Sequence, residues 1–251
     1  MAGVFLTVTE SMILQAYGNF LTAVLPANVI VVQGQDNKVP EPSSGGFPDG
    51  TDYVVMWPTL RERLETNVDT YSDITLTGSI AGSVMTVTDL EGGTLQAGQA
   101  VFGVGLTTGT SIVAQLTGAP GGDGTYTVAP EQTIGPLALA AGLKNSLSPM
   151  RLTVQTDVHG PHSTDNTQIV VTLFRDEFAT SFFTDGGYPV SPLYIDNGQQ
   201  IPFISGENQY EYRWVLMAKM QVNPVVVTPL QFADTLVVAL KEIDVTYPPG
   251  A

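Results

Sequence analysis

Hydrophobic residues recur at helical spacing in two stretches of the chain and at strand spacing in several others. Near the start of the chain, apolar residues three and four positions apart predict a helix that ends before Pro26. These residues are Ile13, Leu14, Tyr17, Leu21 and Val24. Thr7 and Glu10 have the spacing of a capping box, in which each side chain satisfies a free backbone N–H. The β-branched run NVIVVQ, residues 28–33, then predicts a buried strand.

The most strongly periodic stretch lies at residues 165–183 and predicts one amphipathic helix. Its apolar positions follow the helical period and are Ile169, Val170, Leu173, Phe174, Phe178 and Phe182. Gly186, Gly187 and Pro189 end it, because glycine favours a helix C-terminus and proline cannot continue a helix.

Three further segments, residues 52–58, 60–68 and 150–158, have the composition or alternation of strands. In the second segment we expect one side to face the core and the other to face solvent. The expected core side is Leu60, Leu64, Thr66 and Val68, and the solvent side is Arg61, Arg63, Glu65 and Asn67. The third segment alternates in the same way, with Met150, Leu152, Val154 and Val158 on one side and Arg151, Thr153, Gln155 and Asp157 on the other. The second and third segments are therefore expected to pair as a hairpin.

The last third of the chain mainly has the pattern of strands. Asn197–Gly198 lies between apolar runs, which is a hairpin-turn signal. Residues 209–222 alternate throughout and predict a long strand, one face of which holds Tyr210, Tyr212, Trp214, Leu216, Ala218, Met220 and Val222. Residues 229–244 fit both a helix and a strand, and their β-branched residues favour a strand near 235–245.

Residues 72–143 differ in composition from the sequence on either side. Between Ser72 and Leu143 there is no Lys or Arg, and 14 of the 26 glycines lie there. Short β-like runs separated by glycine turns predict a small all-β module. Hairpin tips tolerate insertion, so we expect this module at the tip of the hairpin, inserted into a discontinuous core domain of residues 1–71 and 144–251. A single continuous β-rich domain is the alternative.

The predicted fold class is α+β. It combines a mixed or antiparallel sheet and two packed amphipathic helices with the inserted small all-β domain.

The composition of the chain disfavours or excludes several classes of protein function. Charged residues make up only 13% of the chain, and 24 acids against 9 bases give a formal net charge of −15. The chain therefore lacks the basic residues of a phosphate-binding surface, which disfavours nucleic-acid binding through an extended face. There is no Cys, so disulfides, zinc–thiolate sites and thiol nucleophiles are excluded. No apolar run is long enough to span a membrane, and no signal peptide is expected.

The segment DVHGPHSTD, residues 157–165, holds both histidines and offers the best candidate for a chemical site. Its possible metal ligands are Asp157, His159, His162 and Asp165. A zinc site would need a further ligand from elsewhere, and Gly160–Pro161 separates the histidines by a turn.

A structural interpretation of the same segment is favoured. A strand would end near Val158, the Gly-Pro turn would follow, and a polar side chain would cap the next helix. The candidate caps are Ser163, Thr164 and Asp165, of which Asp165 has capping-box spacing to Gln168.

Other chemical motifs are weaker. No GxSxG sequence marks a nucleophilic serine, and chance pairs among 24 acids carry no signal for glycoside hydrolysis. The glycines of residues 103–109 lack phosphate-loop spacing, and residues 118–124 offer calcium only Asp123, so we interpret both as turns. Tyr212 and Trp214 could form a sugar platform but are more typical of a core or subunit interface. We therefore predict no catalytic, cofactor-binding or metal-binding residue, no cofactor and no enzymatic activity.

The order of elements and three motifs resemble the neck and tail-terminator proteins of tailed bacteriophages. The motifs are WPTLRERLETNVDTYSD, RLTVQTDVHGP and TLFRDEFA, and the resemblance covers roughly residues 1–71 and 144–251. In that family a corner of the type QVD–aromatic–glycine precedes the amphipathic helix. Here the corner is QTDVHG, with His159 in the place of the aromatic residue. Residues 72–143 resemble small Gly/Thr-rich β modules of phage virion proteins, which serve in decoration or display.

The resemblance implies a ring, commonly a hexamer, that caps the tail tube and joins it to the head connector, with DNA passing through its lumen. It implies self-association, contacts with connector and tube or sheath proteins, no membrane partner, and a place in the virion after assembly in the host bacterial cytoplasm. We expect the long Pro- and Gly-rich loop at residues 34–50 to contact a neighbouring protein, and the acidic excess to line the channel or the outer face.

Several alternatives stay open at this point. Another phage neck, collar, head-completion or tail-tube protein would fit the same features. A carbohydrate-binding adhesin that uses Tyr212 and Trp214, or a metallohydrolase at His159 and His162, would belong to a different class.

Overall fold

A computed structural model describes residues 4–34, 50–201, 203–204 and 210–230 of the chain. The predicted loop at 34–50, apart from its two end residues, and the predicted strand near 235–245 lie outside the described residues. The chain divides into two compact units. The larger is built from residues 5–70 and 145–227, and the smaller is built around residues 71–144.

Strands predominate over helices, and the described elements follow one another in an α+β arrangement. In chain order they are β1 (Phe5–Leu6), α1 (Glu10–Val24), β2 (Ile30–Gln33), β3 (Tyr53–Arg63), β4 (Val68–Ser72), β5 (Thr75–Glu91), β6 (Ser111–Gly118), β7 (Gly124–Ala140), β8 (Leu143–Leu147), β9 (Met150–His159), α2 (Ser163–Phe174), α3 (Glu177–Asp185), β10 (Ser191–Ile195), β11 (Gln199–Gln200), β12 (Phe203–Ile204), β13 (Tyr210–Glu211), β14 (Arg213–Val222) and β15 (Val225–Pro229). The predicted α+β class with a mixed sheet agrees with this order, but the described part contains three helices rather than two.

A six-stranded mixed sheet forms the centre of the larger unit. Its strand order is β10–β14–β9–β3–β2, and β11 also pairs with β14. β9 pairs antiparallel with both β14 and β3, as the predicted hairpin requires, whereas β2 runs parallel to β3. One face of this sheet packs against the three helices, and we call it the helix-covered face. The core between them includes Leu14, Tyr17, Phe20, Val54, Leu152, Val154, Phe174, Phe183, Leu216 and Ala218.

Helix α1 forms where the apolar period predicts it, but its N-terminus differs from the prediction. Thr9, not Thr7, is the N-cap, and its side chain accepts a hydrogen bond from the backbone N–H of Met12. The Thr7 hydroxyl instead accepts a hydrogen bond from the backbone N–H of Val225 at 3.1 Å. Because the Thr7 side chain is hydrogen-bonded to strand β15, it does not cap the helix.

The long helix predicted at 165–183 is two helices, α2 and α3, with a break at Arg175 and Asp176. Asp176 has extended backbone angles, and its carboxylate accepts a hydrogen bond from the N–H of Phe178 at 3.0 Å, which starts a new helix. The Arg175 guanidinium donates to the carbonyl oxygen of Ile195. The break turns Phe178 outward, so that 43% of its surface is exposed. One polar capping residue within the apolar period therefore divides the stretch into two helices, where the period predicted a single helix.

A β-bulge in β3 reverses the predicted sides of residues 60–63. The register to β9 shifts between Pro58 and Leu60, so that Leu60 lies opposite Thr153 and Arg61 lies opposite Leu152. Leu60, Leu64 and Val68, all predicted to face the core, are 46–51% exposed. The predicted core side is wrong at residues 60–63 because one extra residue flips the side chains that follow it in β3. Leu64 and Val68 lie beyond the end of β3, so the predicted continuous strand at 60–68 is wrong as well.

The run at 28–33 forms β2, but it is not the buried strand that we predicted. Among the described strands it lies at one edge of the six-stranded sheet, and Ile30 is 37% exposed. β-branched residues suit an edge strand as well as a central one, so composition alone did not distinguish the two.

Asn197–Gly198 does not form the predicted hairpin turn. β10 and β11, on either side of it, both pair with β14 instead of with each other. A Cβ on Gly198 would lie 2.5 Å from Cγ2 of Thr167 and 3.1 Å from Cε3 of Trp214, so close packing accounts for the glycine.

The smaller unit contains a three-stranded sheet in the order β5–β7–β6, with an apolar core of its own that includes Ile80, Met85, Ile112, Tyr126 and Leu139. Short strands cut by glycine turns were expected, but β5 and β7 each run for 17 residues. Gly78 and Gly82 lie at register shifts inside β5. Gly105 and Gly109 have positive φ, as the turns predicted at 103–109 require. The division into an inserted domain at 72–143 stays a prediction.

Candidate functional site

The corner between β9 and α2, which carries the candidate histidines, is built around Gly160. Its φ is +102°, and a Cβ there would lie 2.5 Å from Oδ1 of Asp52. Glycine is required on both counts, because an L side chain is strained at this angle and would collide with the carboxylate. The Gly-Pro corner predicted from the sequence is therefore present, and Asp52, which was not predicted, fills the space against it.

His159, the last residue of β9, packs as an aromatic ring. It is buried and stacks on Tyr53, with 4.5 Å between ring centroids and 5° between ring planes. Burial, with the charge of Arg213 adding to it, lowers the pKa of His159 to about 4 from its ordinary 6.5. The ring is therefore neutral near pH 7. It takes the place of the aromatic residue expected at this corner.

His162 is the structural partner of Asp52. Its backbone N–H donates to Oδ1 of Asp52 at 2.9 Å, and its Nδ1 lies 2.8 Å from Oδ2. The imidazole is 70% exposed, whereas the Asp52 side chain is 4% exposed. One buried carboxylate thus ties the loop before β3 to the start of α2.

The helix start differs from the predicted caps. α2 begins at Ser163, its N-cap is His162, and no side chain caps it. The helix therefore starts before Asp165 can act as a cap, and Asp165 lies exposed in the first turn. The four candidate ligands are not brought together, and no group of three His, Asp or Glu side chains among the described residues could hold a metal ion.

Asp157 forms a buried ion pair with Arg213 on the sheet face opposite the helices. Arg213 Nε donates to Oδ2 at 2.6 Å, and the Gln155 amide donates to Oδ1 at 2.9 Å. Burial raises the pKa of Asp157, against the opposing effects of Gln155 and Arg213. The sequence placed Asp157 on this face but did not reveal its partner, because the pairing depends on the register of β9 and β14.

A shallow groove on the larger unit is an exposed feature that could receive a partner. It encloses about 540 Å³ and is lined by Leu6, Arg61, Glu62, Arg63, Asn67, Ser146, Ser148, Met150, Pro224 and Val226. Leu6 and Val226 face each other across the β1–β15 pair and are 41% and 37% exposed. Solvent-exposed apolar side chains in a concave surface are typical of protein contacts.

The charged residues of this groove are held by neighbours. Arg61 donates to Glu10 of α1 at 2.8 Å, and Arg151 donates twice to Glu62, at 2.9 and 2.6 Å. Each of these side chains is 38–48% exposed, so the pairs contribute little to stability and can exchange partners. The bulge in β3 brings Arg61 to the side of Glu10, and for that reason the sequence pattern did not predict the groove.

The aromatic stripe of β14 does not form one exposed platform. Trp214 is partly buried against the helix-covered core, and Tyr212, just before the strand, is 62% exposed. This favours the core interpretation for Trp214. Within the described part of the chain, the helices are too short or too polar to cross a membrane.

Comparison with known proteins gives one family. Residues 126–249 match the family model described as "Phage neck terminator protein". The matched segment contains β9, α2, α3 and β14, but not α1 or β3, so the predicted resemblance of residues 1–71 stays a prediction. No curated protein matches the chain. Through this segment, with its central strands and two of its helices, the chain is similar to phage neck terminators, and the match supports a structural protein of the phage neck.

Proposed function

We propose that this protein forms a ring in the neck of a tailed phage, where it terminates the tail and joins it to the head connector. The match of residues 126–249 to the neck terminator family is the observation that carries the proposal. DNA would pass through the lumen of the ring, which we expect to be a hexamer. The protein would assemble in the host bacterial cytoplasm and remain in the virion.

The groove on the larger unit supplies a surface for contact between neighbouring copies. A closed ring needs two different surfaces on each copy, because each copy contacts its neighbours head to tail. A chain with a net charge of −15 repels copies of itself, which favours contacts at apolar surfaces that also carry cations. The groove has both properties, with Leu6, Met150 and Val226 beside Arg61 and Arg63.

The acidic surplus suits a passage for DNA. Residues 72–143 contain Asp73, Asp89, Glu91, Asp123 and Glu131 and no Lys or Arg. A wall of like charge repels the phosphate backbone and lets the duplex slide, whereas a basic wall would bind it. These acids would line the channel or the outer face, and a β module at 72–143 would decorate the ring.

Light scattering and electron microscopy of the full chain test the ring. We expect rings at high protein concentration or with neck partners. Val226→Asp in the groove should leave folded monomers, and the matched control, Val113→Asp at a 52% exposed position of β6, should form rings as the unchanged protein does.

The outcomes separate the two parts of the proposal. If the unchanged protein stays monomeric under all these conditions, the ring is wrong. If Val226→Asp still forms rings, the ring stands and the groove is not the contact. A virion reconstruction that places the protein in a collar, in the head-completion layer or in the tube would replace the terminator assignment.

A further inference from the structure

Four buried polar atoms on α2 and β14 have no hydrogen-bond partner among the residues that the structure describes. They are Oγ of Ser163, Nδ2 of Asn166, Oγ1 of Thr167 and Nε1 of Trp214. Ser163, Asn166 and Thr167 are 1%, 2% and 5% exposed. Such groups are seldom left unpaired in a folded protein, since each has lost its hydrogen bonds to bulk water.

The four atoms belong to one small region. Ser163, Asn166 and Thr167 are three and four positions apart, so they share one face of α2. Thr167 and Trp214 both border Gly198, whose absent Cβ would lie within 3.1 Å of each.

The donors and acceptors among these atoms determine which molecule could form their missing hydrogen bonds. The indole N–H and the amide NH₂ only donate, and the two hydroxyls both donate and accept. The missing partner is therefore a small acceptor that can also donate. A buried anion is disfavoured, because α2 contains no Lys or Arg and Asp165 in its first turn adds a negative charge.

We propose that this region is a binding site for ordered water between α2 and β14. The water would accept from Trp214 and Asn166 and exchange hydrogen bonds with Ser163 and Thr167. Buried waters with about three protein partners are a normal part of protein structure. The site is independent of the proposed ring, since it lies inside a single chain.

A pair of threonine variants on α2 tests the site. Thr167→Val keeps the shape and removes the buried hydroxyl, and Thr164→Val makes the same change at an exposed position of the same helix. If water bridges the cluster, Thr167→Val should lower the urea midpoint of unfolding relative to Thr164→Val. If the hydroxyl is simply unsatisfied, removing it should raise the midpoint, and the proposal fails.

A high-resolution crystal structure of the full chain provides the direct test. We expect density within hydrogen-bonding distance of at least three of the four atoms, without anomalous signal after a bromide soak. A bromide peak would replace the water by an anion. Side chains that pair directly with one another, with no density between them, would overturn the site.

Discussion

The buried histidine at the end of β9 should make the larger unit less stable in mild acid. The pKa of His159 is about 4 in the folded chain and 6.5 in its ordinary state. A lowered folded pKa means that the stabilisation is fully present above about pH 6.5 and is lost as the pH falls toward 4. Between these two pKa values the unfolded chain binds a proton that the folded chain does not. The unfolding free energy should therefore fall by about 2 kcal/mol from pH 7 to pH 5.

His159→Phe isolates this contribution. Phenylalanine can stack on Tyr53 but cannot bind a proton, so its unfolding free energy should fall by about 2 kcal/mol less than that of the unchanged chain between pH 7 and pH 5. Asp157 acts in the opposite direction: its raised pKa gives a stabilisation that is present at low pH and lost as the pH rises. That effect is common to both proteins and cancels in the comparison. Urea titrations at the two pH values provide the measurement.

His159→Gln separates protonation from stacking. It should show the same pH dependence as His159→Phe, but with lower stability at both pH values, because the stack on Tyr53 is lost. Equal pH dependence in all three proteins would refute the reasoning, since His159 would then titrate alike in the folded and unfolded chain.

Three further changes test the contacts around this corner and the break between the helices. Arg213→Met should lower the unfolding free energy by about 3 kcal/mol in urea titrations, because it leaves the buried Asp157 carboxylate without its cation; an unchanged midpoint would contradict the buried pair. Gly160→Ala should cost about 2 to 3 kcal/mol, measured by thermal unfolding, since φ is +102° and the new methyl group meets Asp52. Asp176→Ala should lower the unfolding free energy by about 1 kcal/mol, because it removes the α3 cap. If the loss is no larger than that caused by Asp→Ala at an exposed position elsewhere, the cap does not stabilise the chain.

The sequence predicted those elements whose pattern is repeated over many residues. α1 and the strand at 150–158 appear with the expected buried side. The strand predicted at 209–222 appears with its expected buried side from Trp214 to Val222, whereas Tyr210–Glu211 forms a separate short strand. Each presents at least four apolar residues to one core, so tertiary packing and periodicity favour the same structure.

Two of the failures have a common physical cause, which is that one local interaction changes the direction of the residues after it. Asp176 captures the N–H of Phe178 and divides a continuous apolar period into two helices. The bulge after Pro58 exchanges the two sides of a strand. Neither event alters the hydrophobic pattern itself, so neither could be predicted from it.

The same limit applies to the candidate site. The sequence correctly pointed to a Gly-Pro corner, but the partners of its side chains come from distant segments: Tyr53 and Asp52 precede His159 by about a hundred residues, and Arg213 follows it by more than fifty. Strand register brings these residues together, and register is not encoded at any one of the positions.

The bulge at Pro58–Leu60 also has a consequence for comparing sequences. Thr59 is the extra residue, since Pro58 lies opposite Val154 and Leu60 lies opposite the next residue of β9, Thr153. Deleting Thr59 would therefore restore the regular alternation and leave Leu60 and Arg61 on the faces that they occupy now. A related chain without the bulge should align with this one through a single gap at Thr59, and a gap placed further along β3 would match residues that point to opposite faces of the sheet.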